Sequence, residues 1–303
     1  MTNVDALVFL DANQYLYLYE ATKGKKLLDS LMEQQDYIFV TMQVVEEVQR
    51  NKLRVTAKLL SKPFELLEVR GFSEETGGKL HTKLKNINQR IKKINAEVEQ
   101  AAHQTLQRIS RSEDKVSKAL AALFSKAVIP TPEEIRRARD RKERGNPPGK
   151  EADPLGDQLT WEQLLSHYKG KSKIWIISRD RDYSTLHDGK IFLNPFLHED
   201  LARLNQPPPE VFCFDNLGEG LTHFVKTTRV KAKKLLTPEE SKEIKEELDS
   251  LPPLGWLSAA SGMDDAYWVA NLSARNKQIS APLWAAMSIQ GYPPVLKTDP
   301  DKP

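Results

Sequence analysis

Four short apolar segments, separated by sequence of helical character, constrain the fold of this chain most strongly. They lie at residues 6–10, 37–41, 174–178 and 211–214. Apolar runs of this length, rich in branched and aromatic side chains, are typical of strands that are buried on both faces. Because each strand is separated from the next by helix-forming material, the chain predicts an α/β fold: an open parallel sheet with helices on both faces.

Several acidic residues lie beyond the carboxyl ends of the predicted strands, which is where open parallel sheets bind their ligands. Asp11 follows the first strand directly, and Asp180 and Asp182 follow the third. Asp157 lies at the start of a helix, where the helix dipole stabilises negative charge. Glu47 belongs to the helix after the second strand. We therefore expect these carboxylates to meet in one crevice.

The acid on the helix after the second strand has an adjacent alternative. Glu46 and Glu47 point about 100° apart on a helix, so at most one of them faces the crevice. We choose Glu47, and Glu46 remains the alternative.

Clustered carboxylates imply a cation, because they repel one another and raise each other's pKa values unless a positive charge neutralises them. Hard divalent ions take oxygen ligands, so Mg²⁺ or Mn²⁺ is the expected cofactor. One ion, or two ions about 3.5 to 4 Å apart, would activate water and stabilise the oxygens of an in-line displacement. This chemistry predicts phosphodiester hydrolysis.

The order of the acidic motifs resembles that of the PIN-like domain family. The motifs are Asp11-x-Asn13, Gln43-Val-Val-Glu-Glu47-Val-Gln-Arg-Asn51, Gly156-Asp157-x-x-x-Trp161-Glu162 and Ile176-Ile-Ser-x-Asp180-x-Asp182. The resemblance covers residues 6 to about 214 and is closest to the branch with a long helical insertion and a Pro-Pro-Gly-Lys segment, here at 147–150. It implies a nuclease that leaves 5′-phosphate and 3′-hydroxyl ends. It also implies Asp11, Glu47, Asp157 and Asp180 as catalytic metal ligands, with Asp182 as an additional ligand.

The insertion spans about residues 73–145 and is predicted to be a helical hairpin. Its first helix carries apolar residues at alternating spacings of four and three, typical of a coiled-coil-like seam: Leu80, Leu84, Ile87, Ile91, Ile94, Val98 and Ala101. The returning helix is predicted around Val116, Leu120, Leu123 and Ala127. Cations line the exposed faces of the first helix, at Lys83, Lys85, Arg90, Lys92 and Lys93. Either they bind nucleic acid or they are a solvated surface.

Basic residues are concentrated in and just after this insertion, although the formal net charge of the chain is only +3. Residues 73–150 contain eighteen Lys or Arg against ten Asp or Glu. The cations nearest the third acid are expected to bind nucleic-acid phosphates; they are Arg137, Arg141, Arg144 and Lys150. The alternative is again a solvated surface.

The predicted organisation is a nuclease domain at residues 1–232 and an extension of unknown role at 233–303, which is a candidate binding site for a protein partner. No apolar run approaches the roughly 20 residues needed to cross a bilayer, and the N-terminal sequence lacks the features of a signal peptide. We therefore expect a cytoplasmic protein without a membrane partner.

These patterns together predict a metal-dependent endonuclease that hydrolyses RNA or single-stranded nucleic acid, with RNA the expected substrate. One alternative is a catalytically inactive nucleic-acid-binding or scaffold protein. Another is a phosphatase-like hydrolase with Asp11 as the nucleophile. That chemistry usually needs a second Asp two residues later, where this chain has Asn13.

Overall fold

A computed structural model describes residues 4–20, 24–61, 79–149, 155–168, 170–205 and 207–250. The strands are β1 (Ala6–Leu10), β2 (Ile38–Phe39), β3 (Lys173–Ile177), β4 (Ser184–His187), β5 (Lys190–Leu193) and β6 (Glu210–Phe214). The helices are α1 (Ala12–Glu20), α2 (Gly24–Glu33), α3 (Met42–Ser61), α4 (Lys79–Ser110), α5 (Lys115–Phe124), α6 (Pro132–Glu143), α7 (Gly156–Tyr168), α8 (Pro195–Leu204), α9 (Leu217–Thr228) and α10 (Pro238–Ser250).

A four-stranded parallel sheet with strand order β2-β1-β3-β6 forms the centre of the fold, and β4 and β5 make a separate antiparallel ribbon. Every residue of β1 is buried, as expected for a strand with helices on both faces. Large aromatic side chains such as Trp161 and Trp175 fill the space between sheet and helices. The predicted α/β fold, a parallel sheet flanked by helices, is confirmed.

The path of the chain through the sheet creates a crevice at one edge. The chain passes from β1 to β2 on one side and later returns to β3 on the other side of β1. Parallel pairing aligns the carboxyl ends of β1 and β3, and the amide of Asp11 donates to the carbonyl of Ile177 at 3.1 Å. A reversal of strand order of this kind opens a ligand-binding crevice beyond the strand ends.

The inserted helices differ from the predicted hairpin in their packing. The long helix α4 packs against α3, the helix that precedes it in the described chain. The expected returning helix, α5, is only 10 residues long and packs against α2. Its Leu120 and Leu123 are fully buried, and Phe124 meets the ring of Tyr15 edge-on at 5.3 Å. Leu120 and Leu123, which were assigned to a return along α4, therefore belong to the core of the domain.

The predicted domain boundary at residue 232 is displaced. Leu236 and Ile244 are buried, and the backbone amides of Lys233 and Lys234 both donate to the carboxylate of Glu33 in α2. Residues 233–250 are therefore part of the same compact unit as the sheet. The rest of the predicted extension, 251–303, lies outside the described residues. Within the described part of the chain, none of the helices combines the length and apolar character that crossing a bilayer requires.

Candidate metal centre

Three aspartates from two separate elements meet beyond the carboxyl end of the sheet. Asp157 lies in the first turn of α7, and Asp180 and Asp182 lie in the turn that follows β3. Each of the three offers a carboxylate oxygen, and these oxygens all lie within 4.8 Å of one another. All three side chains are half-buried, so they share a pocket with limited access to solvent.

Asp11 joins this cluster through a serine hydroxyl. The Ser178 hydroxyl donates to Asp11 Oδ2 at 2.6 Å and accepts from the backbone amide of Asp180 at 2.9 Å. Asn13 Nδ2 donates to the same Asp11 oxygen at 2.5 Å, while Asp11 Oδ1 accepts from the amide of Ala12 at 2.6 Å. These bonds fix the orientation of the Asp11 carboxylate and connect β1 to the turn after β3.

The two adjacent glutamates of α3 lie in different environments. Glu47 is half-buried, and its charge acts on both Asp11 and Asp157. Glu46 is exposed and lies 3.7 Å from Arg50 at the helix surface. Val44 and Val48 are buried on the inner side of α3 and so set the rotation of the helix. Glu47 is therefore the glutamate that faces the cluster, which is the choice made from the sequence.

Burial and repulsion from neighbouring acids make the ionised forms of Asp11 and Asp157 unfavourable. Burial is the main cause that raises the pKa of Asp11 to about 7, followed by the charge of Glu47; the Ser178 hydrogen bond acts in the opposite direction. Burial also raises the pKa of Asp157 well above its ordinary value, and the charges of Asp11, Glu47, Asp180 and Asp182 add to the effect. A cation in the pocket would relieve this repulsion.

Close packing at the start of α7 brings Asp157 beside α3. A methyl group at Gly156 would lie 2.8 Å from the side-chain amide of Gln43, which belongs to α3. The start of α7 therefore lies directly against the end of the Gln43 side chain. Gln43 and Glu47 are one helical turn apart on α3, so this contact places the start of α7 on the Glu47 side of the cluster.

A buried ion-pair network holds α7 in this position. The Arg141 guanidinium in α6 contacts Glu162 of α7 at 2.7 Å and Asp200 of α8 at 2.8 Å, and it also donates to the carbonyl of Pro147 at 2.8 Å. The indole nitrogen of Trp161 donates to the same Asp200 oxygen at 3.1 Å. Because its donors are engaged and its side chain is buried, Arg141 has a structural role. The prediction that Arg141 binds nucleic-acid phosphates is therefore wrong.

The other expected phosphate-binding cations have different positions. Arg137 pairs with Glu162 at 3.0 Å and donates to Ser166, which lies nine residues, about 13 Å, along α7 from Asp157. Arg144 is exposed at the C-terminal end of α6, and Lys150 lies outside the described residues. Among Arg137, Arg144 and Lys150, only Arg144 has a described, exposed side chain near the start of α7, where Asp157 lies.

Sequence reasoning gave no role to three side chains that belong to this centre. Ser178 bridges Asp11 and the Asp180 amide, and its motif position before two acids is the only sequence signal for it. Tyr183 is fully buried, and the charges of Asp157, Asp11, Asp180 and Glu47 help burial to raise the pKa of its hydroxyl. Arg181 is exposed between Asp180 and Asp182.

The chemistry of the donor set fits a hard divalent ion. Mg²⁺ and Mn²⁺ bind carboxylate oxygens, and ligands on opposite sides of Mg²⁺ lie about 4.2 Å apart at bond lengths of about 2.1 Å. The oxygens of Asp157, Asp180 and Asp182 lie within 4.8 Å of one another, an upper limit only slightly above that span. The described residues of the pocket are therefore suited to holding such an ion.

Comparison with known proteins agrees with this arrangement. A family model described as PIN domain matches residues 8–183, a span from β1 to the residue after Asp182. Searches of curated proteins and of solved structures find no significant match. The matched span includes each of the five clustered acids and more than half of the chain. PIN domains are generally nucleases, and by this match the chain belongs to the PIN domain family.

Proposed function

We propose that this protein is a metal-dependent nuclease that hydrolyses phosphodiester bonds of RNA or single-stranded nucleic acid. Acids from four separate segments of the chain converge at the carboxyl end of the sheet, where burial opposes the ionisation of Asp11 and Asp157; this convergence is the observation that supports the proposal. Folding five carboxylates together in this way is unfavourable without a compensating charge. Mg²⁺ or Mn²⁺ bound among them would supply that charge.

The acids divide into roles according to their surroundings. Asp157, Asp180 and Asp182 would hold the ion, since their oxygens lie within 4.8 Å of one another. Asp11 is held by Ser178 and Asn13 and would complete the site from the β1 side. Glu47 would close the site from α3. A bound ion of this type activates water and stabilises the charge that develops on phosphate oxygens.

Nucleic acid must be attracted by cations near the pocket, because the acids themselves repel phosphate. Arg181 is exposed in the turn that carries two of the acids, and Arg144 is exposed at the end of α6. The cations of α4 that were expected to bind nucleic acid, Lys83, Lys85, Arg90, Lys92 and Lys93, are exposed as well. We assign Arg144, Arg181 and three of the α4 cations, Lys85, Lys92 and Lys93, to phosphate binding.

The two glutamates of α3 provide a matched test of this function. Labelled single-stranded RNA and DNA would be incubated with the wild-type protein, Glu47→Gln or Glu46→Gln, in Mn²⁺, Mg²⁺ or chelator. We expect cleavage that requires the metal, that yields internal fragments, and that falls about a hundredfold or more in Glu47→Gln. Glu46→Gln should cleave at the wild-type rate, because its side chain is at the surface.

The same assay identifies the alternatives. Binding of RNA with no cleavage in any metal would indicate an inactive binding protein and contradict the proposal. Equal loss of cleavage in both variants would remove the distinction between the two glutamates. Cleavage that persists in chelator would exclude the metal from the reaction.

A further inference from the structure

An apolar seam on α4 remains accessible in the folded chain. It consists of residues at spacings of three and four: Leu84, Ile87, Ile91, Ile94 and Val98. The Ile94 side chain is 53 % exposed, and the other four are half-buried. Leu80 and Ala101 extend the pattern in the sequence at both ends, so it covers seven consecutive seam positions, or about three heptads.

The length of α4 explains why α3 covers so little of this seam. Lys52 Nζ donates to the Ser112 hydroxyl at 2.6 Å, which places the C-terminal end of α4 beside the middle of α3. About ten residues of α3 remain on either side of Lys52, and they can flank only about 15 Å of α4. The 32 residues of α4 span about 48 Å. Most of the seam therefore lies beyond the reach of α3.

We propose that α4 forms an antiparallel two-stranded coiled coil with α4 of a second copy of this chain. The proposal is independent of the acidic site and of its chemistry. A strict repeat of apolar residues every 3.5 positions is the pattern by which two helices bury a common seam. In the antiparallel arrangement, Ile91 would lie opposite Ile94 of the second copy, and Ile87 would lie opposite Val98.

The charges beside the seam are complementary in this register. Arg90 and Glu97 are seven residues apart on the same side of the seam, and both belong to the described helix. With Ile91 opposite Ile94, Arg90 of each copy lies beside Glu97 of the other, which gives two symmetric ion pairs. A shift of one heptad in one direction would bring two Glu97 side chains together; a shift in the other direction would bring two Arg90 side chains together, while Lys83 of each copy would lie beside Glu97 of the other. Complementary charges at these flanking positions set the orientation of coiled coils.

The parallel arrangement lacks this complementarity. In parallel pairs, each flanking residue faces the position five residues later on the other helix. Arg90 would then face Asn95, and Glu97 would face Ala102, so neither charge would gain an opposite partner. The cations Lys85, Lys92 and Lys93 lie away from the seam and stay exposed in either arrangement. Dimer formation would thus leave the basic face of α4 accessible.

Analytical ultracentrifugation of the full chain across micromolar concentrations tests the proposal. We expect a reversible dimer for the wild-type protein and a monomer for Ile91→Asn, since an amide would replace a seam residue. Gln89→Asn is the matched control, because Gln89 is exposed on the opposite side of α4. Circular dichroism of each variant checks that α4 stays helical. A monomeric wild-type protein, or a dimer that survives Ile91→Asn, would overturn the proposal.

A charge swap tests the antiparallel register. Arg90→Glu and Glu97→Arg, each alone, place like charges in both symmetric contacts and should weaken dimer formation about tenfold or more. The double variant restores opposite charges and should recover the wild-type dissociation constant. Arg90 and Glu97 are too far apart to pair within one helix, so such recovery requires two chains. Failure of the double variant to recover, with α4 still helical, would overturn the antiparallel register.

Discussion

Replacing Asp157 with asparagine separates the stability of the acidic cluster from its metal binding. The amide keeps the shape of the side chain and removes its charge. In the metal-free protein the pKa of Asp157 is raised well above its ordinary value by burial and by four neighbouring acids, so the charged form opposes folding. We therefore expect Asp157→Asn to raise the melting temperature without metal, although it should abolish cleavage.

The size of the effect follows from the spacing of the oxygens. Two unit charges at the upper limit of 4.8 Å repel by about 3 kcal/mol at an effective dielectric constant of about 20. Proton uptake already relieves part of this repulsion, so the gain from Asp157→Asn should be about 1 to 3 kcal/mol. For a unit of this size, that range corresponds to a rise of about 2 to 10 °C in melting temperature.

The assay is calorimetric melting at neutral pH, first in chelator and then with Mn²⁺. Wild-type protein should gain stability from Mn²⁺, whereas Asp157→Asn should gain little, because it lacks a ligand. Near pH 3 the two metal-free proteins should melt at similar temperatures, since folded and unfolded Asp157 are then both largely protonated. Asp140→Asn is the control, because Asp140 pairs with Arg136 on the surface of α6 at 3.0 Å. A metal-free melting temperature that falls in Asp157→Asn, or an undiminished response to Mn²⁺, would refute this account of the cluster.

Three further predictions concern Asp11, Ser178 and the cations of α4. Because the pKa of Asp11 is raised to about 7, the folded state holds a proton that the unfolded chain releases above about pH 4; stability in chelator should therefore fall as pH rises from about 4 to 7, and the stabilisation by Mn²⁺ should grow over that interval. A flat profile in calorimetric melting would contradict this. Ser178→Ala removes a hydrogen bond that lowers the pKa of Asp11, so the midpoint of pH-dependent Mn²⁺ binding should move to higher pH. An unchanged midpoint would show that Ser178 does not influence the metal site. Replacing Lys85, Lys92 and Lys93 by alanine in a non-cleaving Asp180→Asn background should weaken RNA binding about equally for all sequences and flatten its salt dependence; unchanged affinity and slope would make these cations a solvated surface.

The fold and the meeting of the acids could be predicted because both depend on local patterns. The apolar runs that became β1 and β3 are short and continuous, and a parallel sheet brings their carboxyl ends to one edge. Asp11 and Asp180, far apart in the chain, therefore lie on either side of the Ser178 hydroxyl. Their catalytic roles stay predictions.

Other features depend on tertiary packing and could not be predicted from the sequence. The sequence of α6 contains several arginines, and nothing in it distinguishes Arg141. The burial of Arg141 becomes evident only from its hydrogen bonds to Glu162 of α7 and Asp200 of α8. In the same way, Leu120 and Leu123 have the spacing of a helix that returns along α4, yet they pack in the core of the domain. Local periodicity identifies an apolar face and leaves its partner open.

The central claim is that Asp157, Asp180 and Asp182 hold a divalent ion beyond the carboxyl end of the sheet. Crystals soaked in Mn²⁺ and measured near the manganese absorption edge test it most directly. The account predicts an anomalous difference peak bonded to oxygens of these three side chains at about 2.2 Å, and loss of that peak in Asp180→Asn. A well-ordered pocket with no peak, or a peak held by other residues, would contradict it.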